Sequence, residues 1–425
     1  MRRLKVSELD TSFFDSARTD VPEIVLRIVD DVRRRGDEAL REYTRKFDGC
    51  DAAAFQVAPE EIQKARSGVS EELFIQLKNA ADRIERFARK QLDSFKDFEM
   101  EVEPGVLIGQ RTVPIERVGC YVPGGRYPLL SSVLMSTVPA RVAGVKEVAL
   151  FSPPSQAGQI PLPILAAAEI TGVDEVYAAG GAQAVAAMAF GTESVKPVCK
   201  IVGPGNIYVT AAKKLVFGEV GVDFVAGPTE ILIIADESAN PVFVAADLIA
   251  QAEHDVAARP VLLTDSLPLA KSVNAEIERQ LRTLQTAETA RQSLQNNGFI
   301  ILFERPEEAL EIANRRAPEH CQLCVKNPEA FAPNLMSYGS LFVGEFAPET
   351  LGDYSSGLNH ILPTNGAARY TGGLSVKDFV KIQTYLKVDK EGFVHISSGA
   401  ATIAGAEGLF GHEQAIRVRN LALSS

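Results

Sequence analysis

The sequence predicts an α/β fold built around two sheets of parallel strands. From about Val106 to about Ser375, short apolar runs alternate with helical stretches, which is the pattern of βαβ units. The apolar runs are numerous enough for two sheets. The candidate strands are Val106–Gly109, Val118–Val122, Val148–Phe151, Glu175–Ala178, Cys199–Val202, Ile231–Ala235, Val261–Thr264, Phe299–Phe303 and Gln322–Val325.

Helical spacing of apolar residues fills the rest of the chain. It predicts helices between the strands and a helical N-terminal part that carries no cluster of reactive side chains. After Ser375 the alternation stops, and the tail reads as an appendage or dimer arm. The predicted helices are Val21–Phe47, Glu60–Phe95, Ala166–Thr171, Ala182–Phe190, Asn206–Phe217, Val242–Ala252, Ala270–Ala287, Asp378–Leu386 and Ala400–Asn420, with a short strand at Gly392–Ser397.

Composition narrows the class of protein. The chain has 425 residues and a formal charge of −11, with 46% apolar residues. That length suggests two or three domains, and the acidic balance argues against a nucleic-acid or anionic-membrane partner. No run of about 18 apolar residues could span a membrane, and the basic start lacks the apolar core of a signal peptide. We therefore expect a cytoplasmic protein.

Three glycine pairs follow candidate strands and precede helices: Gly124-Gly125, Gly180-Gly181 and Gly203-Pro-Gly205. Free backbone N–H groups and the helix dipole favour anions at such positions. Each pair alone is more often a tight turn, but three at strand ends indicate a phosphate or nucleotide site. Position 208 is Tyr, so the full GxGxxG fingerprint is absent.

The chain has only five histidines, and four lie near acidic or amide side chains. Gln251 and His254 are three apart, so they could reach one metal ion from one helix face; a histidine that caps a helix end is the alternative. Glu319-His320 places two proton-transfer groups of different basicity side by side before a strand, although a capped turn explains the pair equally well.

The remaining candidates lie towards the C-terminus. Asp353 and His360 belong to a glycine-rich polar segment that could present side chains to a site or be an ordinary solvated loop. Glu407 and His412 are five apart, which does not favour one helix face. His395 receives no role. Cys321 and Cys324 lack the second pair of a zinc site, and on a strand they should point to opposite faces.

In order and combination, these segments resemble the histidinol dehydrogenase family along nearly the whole chain. The matching segments are Tyr43–Gly49, Val118–Gly125, Ala179–Gln183, Gly203–Asn206, Ala226–Glu230, Gln251–His254, Ala317–His320, Gly352–Tyr354, Asn359–Thr364 and Glu407–His412.

The resemblance implies a homodimer of chains with two incomplete Rossmann-like domains. Residues 19–119 and 230–373 would form the first domain and residues 120–229 the second, NAD-binding domain. Residues 1–18 would be an N-terminal extension, and residues 374–425 an arm that embraces the partner. The family oxidises L-histidinol to L-histidine through the aldehyde with two NAD, the last steps of histidine biosynthesis.

The resemblance also implies the site residues. Zinc would be held by Gln251, His254, Asp353 and His412 of the partner subunit, and the substrate would complete its shell. His320 would be the base for hydride transfer, and Glu319 would activate water in the second half-reaction. The remaining substrate contacts would be Ser131, Thr229, His360 and Glu407, and the NAD contacts Tyr121, Gln183 and Asn206.

Two departures bear on the substrate. Position 229 is Thr where many members have Ser, which keeps the hydroxyl. The loop Gly125-Arg126-Tyr127-Pro128 carries bulkier side chains and resembles paralogues that oxidise other small alcohols, including sulfonated diols. Such a paralogue is the alternative within this class. A zinc hydrolase without NAD and a non-catalytic binding module are the alternatives outside it, and the number of proton-transfer groups argues against the second.

Overall fold

The computed structural model describes residues 1–15, 21–51, 54–124 and 128–424. Its strands are β1 (Arg2–Lys5), β2 (Phe98–Glu103), β3 (Val106–Pro114), β4 (Arg117–Tyr121), β5 (Glu147–Ser152), β6 (Glu175–Ala178), β7 (Lys200–Val202), β8 (Gly221–Val222), β9 (Glu230–Ala235), β10 (Arg259–Thr264), β11 (Phe299–Leu302), β12 (His320–Cys324), β13 (Ser340–Val343) and β14 (Val380–Val388).

The helices alternate with these strands through the middle of the chain and dominate both ends. They are α1 (Glu23–Arg35), α2 (Asp37–Asp48), α3 (Pro59–Lys64), α4 (Glu71–Leu92), α5 (Leu130–Val142), α6 (Leu162–Thr171), α7 (Gly181–Phe190), α8 (Ile207–Val216), α9 (Pro241–Ala252), α10 (Leu267–Gln280), α11 (Ala287–Asn296), α12 (Pro306–Arg316), α13 (Glu349–Tyr354), α14 (Lys390–Ala406) and α15 (Phe410–Ser424). No described helix is both long enough and apolar enough to cross a membrane.

Two parallel sheets confirm the predicted α/β class. One has six strands in the order β1-β11-β10-β9-β12-β13, and the other has five in the order β6-β5-β4-β7-β8. Strands such as β5 and β9 are buried almost throughout, because helices cover both faces of each sheet. Each sheet therefore contributes two layers of apolar core.

The helices of residues 23–92 pack on the five-stranded sheet. Val25, Val32 and Leu40 share a core cluster with α7 and α8, and Leu77 and Ile84 share another with α5 and α6. The predicted division grouped this segment with residues 230–373, whose own cores contain α9 to α12. Sequence periodicity shows which helix face is buried but not which sheet buries it, so the predicted division into domains stays a prediction.

The N-terminal residues complete the six-stranded sheet instead of standing apart. β1 pairs in parallel with β11, and the segment that follows it packs Phe13 against Phe299. Two predicted helices of the N-terminal part are each interrupted. Gly36 separates α1 from α2 because its backbone, at a φ of +56°, is not helical, and a Cβ there would also collide with the Glu193 carboxylate.

A third sheet carries the C-terminal arm, and here the prediction was wrong. Val380–Val388 is strand β14, antiparallel to β3, not a helix, and Gly392–Ser397 lies within helix α14, not on a strand. Apolar or Thr residues alternate with polar ones from Val380 to Thr384, which is a period of two. The N-cap Asp389, which accepts a hydrogen bond from the Gly392 N–H, starts α14 despite its β-branched residues.

Candidate functional site

A cleft of about 170 Å³ lies between the two parallel sheets. The five-stranded sheet presents the carboxyl end of β7 to it, and the six-stranded sheet presents the amino end of β12. The connection from β8 to β9 crosses from one sheet to the other along the cleft wall. The lining residues are Leu129, Ser131, Ser132, Pro204, Gly205, Phe224, Ala226, Gly227, Thr229, His254, Glu319, His320, Asp353, Tyr354, His360, Ile361, Leu362 and Thr364.

The glycine loops lie at the carboxyl edge of the five-stranded sheet, as predicted. Strand order reverses between β4 and β7, and ligands of open α/β sheets bind in the crevice at such a switch point. Gly203 has a φ of +115°, and a Cβ on it would collide with the Tyr121 carbonyl, so only glycine lets this loop lie against β4. A close backbone approach of this kind suits a phosphate-bearing cofactor such as NAD.

The three proposed NAD contacts all belong to this edge. The Tyr121 hydroxyl accepts a hydrogen bond from the Gly181 N–H at 3.1 Å, and Gln183 is buried with its amide 3.5 Å from the Asp48 carboxylate. Asn206 caps α8 by accepting from two backbone N–H groups. Tyr121 and Gln183 therefore lie beneath the loops, while Asn206 follows directly on the loop that lines the cleft.

Glu319 is a buried carboxyl held by two donors. The Thr229 hydroxyl donates to its Oε2 at 2.5 Å, and the Glu230 N–H donates to the same oxygen at 3.0 Å. Burial raises the pKa of Glu319 to about 7, against the opposing effects of His320 and these hydrogen bonds. A carboxyl with that pKa is suited to general base catalysis near neutral pH.

His320 opens β12, and its two ring nitrogens face different surroundings. Nδ1 lies 3.2 Å from the Glu230 carbonyl, which can only accept, so Nδ1 carries the proton of the neutral ring. Nε2 is buried, lies 3.7 Å from Asp353 Oδ1 and has no hydrogen-bond partner among the described residues. The lone pair of the neutral ring is thus on the nitrogen that faces Asp353.

Carboxyl groups control the charge of His320. Burial by itself lowers the pKa of His320, but Glu319, Glu349 and Asp353 outweigh it and raise the pKa to about 10. Burial also acts to raise the pKa of Asp353, and its histidine neighbours lower it below the ordinary value instead. A cation that neutralised Asp353 would move the pKa of His320 back towards the range of a general base.

One observation in particular supports a cation site at the candidate metal ligands. Gln251 is fully buried, its Nε2 donates to the Thr229 hydroxyl at 2.7 Å, and its Oε1 has no partner among the described residues. His254 and Asp353 line the cleft beside it. Amide, imidazole and carboxylate donors together suit zinc.

The described part of one chain supplies no group of three His, Cys, Asp or Glu side chains placed to hold a metal. His254 lies just past the end of α9, not on the helix as predicted, because α9 ends at Ala252. Desolvation in the cleft lowers the pKa of His254, so its ring is neutral and free to bind a cation.

The opposite wall of the cleft holds His360. Its Nδ1 lies 3.1 Å from the Asp353 carbonyl, and its Nε2 lies 3.2 Å from the Ser132 hydroxyl, while Ser131 lines the cleft next to it. Burial lowers the pKa of His360, against the opposite effect of Asp353. Both nitrogens of this ring thus have partners within the chain, and the ring itself lines the cleft.

Glu407 and His412 do not reach this cleft within one chain. Glu407 follows the last residue of α14, His412 lies on α15, and both are exposed on the C-terminal arm. Asp353, predicted in a loop, lies on the short helix α13. His395 lies on the exposed part of α14, away from the cleft.

Two residues near the chemistry were not predicted. Glu349 is buried with its Oε2 3.6 Å from His320 Nδ1, and Ser132 contacts His360. Glu349 stands four residues before Asp353, which is the spacing of one helix face and could have revealed it. In the loop 125–128 that bears on substrate choice, residues 125–127 lie outside the described part of the chain.

The two cysteines of the CxxC segment are structural, as predicted. Cys321 packs in the core on one face of the six-stranded sheet, and Cys324 packs in the core on the other face. Both thiols are free, and burial raises the pKa of each to about 12. Neither is suited to redox or zinc chemistry.

The known proteins that are similar to this chain match it over nearly its full length. A family model described as histidinol dehydrogenase matches residues 14–420. The chain is 44% identical to the histidinol dehydrogenase of Methanothermobacter thermautotrophicus, over 98% of this chain and 99% of that protein. It is 47% identical to that of Agrobacterium fabrum, over 94% and 92%.

A solved structure shows the same fold. The crystal structure of histidinol dehydrogenase from Elizabethkingia anophelis matches with a TM-score of 0.93 and 39% identity, over 100% of this chain and 99% of that one. Together with the ordered set of site residues in the cleft, these similarities establish that the chain belongs to the histidinol dehydrogenase family.

Proposed function

We propose that this protein oxidises L-histidinol to L-histidine through L-histidinal, with two NAD per substrate. The observation that carries the proposal is the adjacent pair of buried bases, Glu319 and His320, in a cleft that also holds the candidate metal ligands. A four-electron oxidation of this kind needs a base that takes the hydroxyl proton at each hydride transfer and a second base that activates water between the two transfers. This cleft supplies both bases, side by side at the amino end of β12.

In the first half-reaction, the substrate hydroxyl loses its proton to Nε2 of His320 as hydride leaves the same carbon. Nε2 is available because Nδ1 is held by the Glu230 carbonyl. Tyr121, Gln183, Asn206 and the glycine loops would hold NAD, which when bound would supply the hydride acceptor. A base fixed by packing at 4% exposure adds about 10²–10⁴ to the rate of such a step.

In the second half-reaction, Glu319 takes a proton from water as the water oxygen attacks the aldehyde carbon. The imidazolium of His320 returns its proton to the former carbonyl oxygen, which gives the hydrate and restores the neutral ring. The hydrate then gives up a hydride, for which a second NAD would be the acceptor, and His320 again accepts the hydroxyl proton. Glu319 reaches this role by its pKa of about 7, which leaves a substantial carboxylate fraction near neutral pH. The Thr229 and Glu230 donors fix the other side of the carboxyl group.

Zinc would be held by Gln251, His254, Asp353 and the partner subunit's His412. When bound, it would hold the substrate's imidazole and amino nitrogens and so orient the reacting carbon. Ser131, His360 and the partner subunit's Glu407 would complete substrate binding. Thr229 would act on the site through Gln251 and Glu319, because its hydroxyl is already hydrogen-bonded to both residues.

A homodimer follows from this assignment. The arm leaves apolar side chains exposed in the single chain, and clustered exposure of this kind marks an interaction surface. They include Leu386, Ile403, Phe410 and Leu421, each at least 61% exposed. A cytoplasmic location stays a prediction.

Product stoichiometry tests the proposed function. With limiting L-histidinol, the zinc-loaded protein should form about two NADH per substrate and yield L-histidine, since each oxidation transfers one hydride. NADH yield and product mass measure this outcome. The proposal fails if L-histidinol gives no NADH while another small alcohol does.

The hydroxyl of Thr229 should control zinc affinity. Thr229→Val keeps the shape but removes the acceptor that orients the Gln251 amide, so we expect zinc affinity to fall by about 10–100-fold. Competition with a chelator measures this without any assay of activity. Thr229→Ser, which keeps the hydroxyl, is the matched control, and equal zinc affinity in the Val and Ser variants would contradict the role of the hydrogen bond.

A further inference from the structure

Helix α13 places two carboxyl groups on either side of one imidazole. Glu349 is the first residue of the helix, and Asp353 follows one turn later on the same face. Glu349 Oε2 lies 3.6 Å from His320 Nδ1, and Asp353 Oδ1 lies 3.7 Å from Nε2. The family assignment gives Asp353 a role as a metal ligand and leaves Glu349 without one.

Among the groups that act on the charge of Glu349, His320 is the one that favours the carboxylate, whereas Asp353, Asp247 and Glu319 oppose it. The residue is 2% exposed, and its Oε2 has no hydrogen-bond partner among the described residues. A buried carboxyl oxygen without a partner is costly, so its position calls for an explanation. Burial raises the pKa of Glu349 well above its ordinary value, and the charge of His320, 3.6 Å away, acts in the opposite direction.

The helix that carries Glu349 is held close to the sheet. A Cβ on Gly352 would lie 2.6 Å from the ring of Phe342, and that ring lies 6.0 Å from the ring of His320. Glycine at this position therefore lets α13 approach β13 and brings Glu349 to the back of the imidazole. The approach of Glu349 to His320 therefore depends on the close packing of the α13 backbone against β13.

We propose that Glu349 is a positioning residue for the base His320, a role that rests on the proposed function. Its carboxylate lies beside Nδ1, so it favours the tautomer whose lone pair is on Nε2. It also stabilises the imidazolium that forms when Nε2 accepts the substrate proton. In a buried site a counter-charge at this distance has a large effect, because water does not screen it.

Glu349→Gln tests the charge while keeping the shape. We expect kcat with L-histidinol to fall by about 10–100-fold, with KM and bound zinc unchanged within about 3-fold, because the base is impaired and the binding residues are not. Glu175→Gln is the matched control. Glu175 is a partly buried carboxyl of the other sheet that pairs with Arg117 and Tyr177 and not with His320, so its variant should keep wild-type kcat.

Glu349→Asp separates charge from packing. It retains the carboxylate on a shorter stem, so its kcat should lie between those of wild type and Glu349→Gln. Wild-type kcat in Glu349→Gln, or equal losses in the Gln and Asp variants, would overturn the proposal. The wild-type protein in the same assay tests the proposed function separately: if L-histidinol gives no NADH, that function fails, and the variants are compared on the alcohol that does support turnover.

Discussion

Replacing Glu319 by glutamine should stop the reaction after its first oxidation. The amide keeps an acceptor for the Thr229 hydroxyl and the Glu230 N–H, so the fold of the site is preserved. His320 remains to take the proton of the alcohol, whereas no carboxylate remains to take a proton from water. We expect oxidation of L-histidinal to fall by about 10²–10⁴.

The yield of NADH measures this outcome. With limiting L-histidinol it should fall from about two to about one per substrate, and L-histidinal or its hydrate should replace L-histidine in the product mixture. His320→Asn is the comparison, because loss of the shared base slows both steps. Wild-type yield and rate in Glu319→Gln would show that another group activates the water, and the assignment of Glu319 would then be wrong.

The sequence indicated those features that rest on local signals. The glycine loops follow β4, β6 and β7 because a turn between a parallel strand and a helix needs small residues and free backbone donors. Glu319 and His320 are adjacent in the chain, so their proximity needed no tertiary information. The α/β class came from alternation alone.

Contacts between segments that are far apart in the sequence could not be predicted in the same way. Thr229 is 90 residues from Glu319 and 22 from Gln251, yet its hydroxyl joins the two. Only the packing of β9 beside β12, with α9 above them, brings the three together. Sequence resemblance named Thr229 as a substrate contact, whereas the structure shows a hydroxyl already engaged on both sides.

The arm shows how an ambiguous period misleads. In Val380–Val388 most apolar residues recur at every second position, as in a strand. Tyr385 and Leu386 are neighbours, however, so the segment also fits the spacing of a helix. Pairing with β3 decides for a strand, because β3 offers a full row of backbone partners. Glu349 was missed for a related reason: the helix that makes its spacing from Asp353 meaningful was itself not predicted.

Mixing two inactive variants should restore activity if the arms are exchanged between subunits. His412→Asn removes a donor from the arm, and His320→Asn removes the base from the cleft. The structure places the two residues in different parts of the chain, with His412 exposed on α15 and absent from the lining of its own cleft. In a mixed dimer, one cleft would have an intact His320 and receive an intact His412.

The size of the recovery can be stated in advance. Random association places half of the subunits in mixed dimers, and each mixed dimer has one intact site of two, so we expect about a quarter of wild-type activity. Activity is measured as formation of L-histidine, and Glu319→Gln mixed with His320→Asn is the matched control, since both residues belong to the same cleft and no combination restores the full reaction. If mixed dimers are detected by mass and the His412→Asn and His320→Asn pair recovers no more than this control, the arm does not complete the partner's site. A gain in the first pair alone would instead mean that neither chain by itself forms a complete active site. Exchange of the arms would then explain both the exposed apolar side chains of the arm and the incomplete set of metal ligands in the cleft.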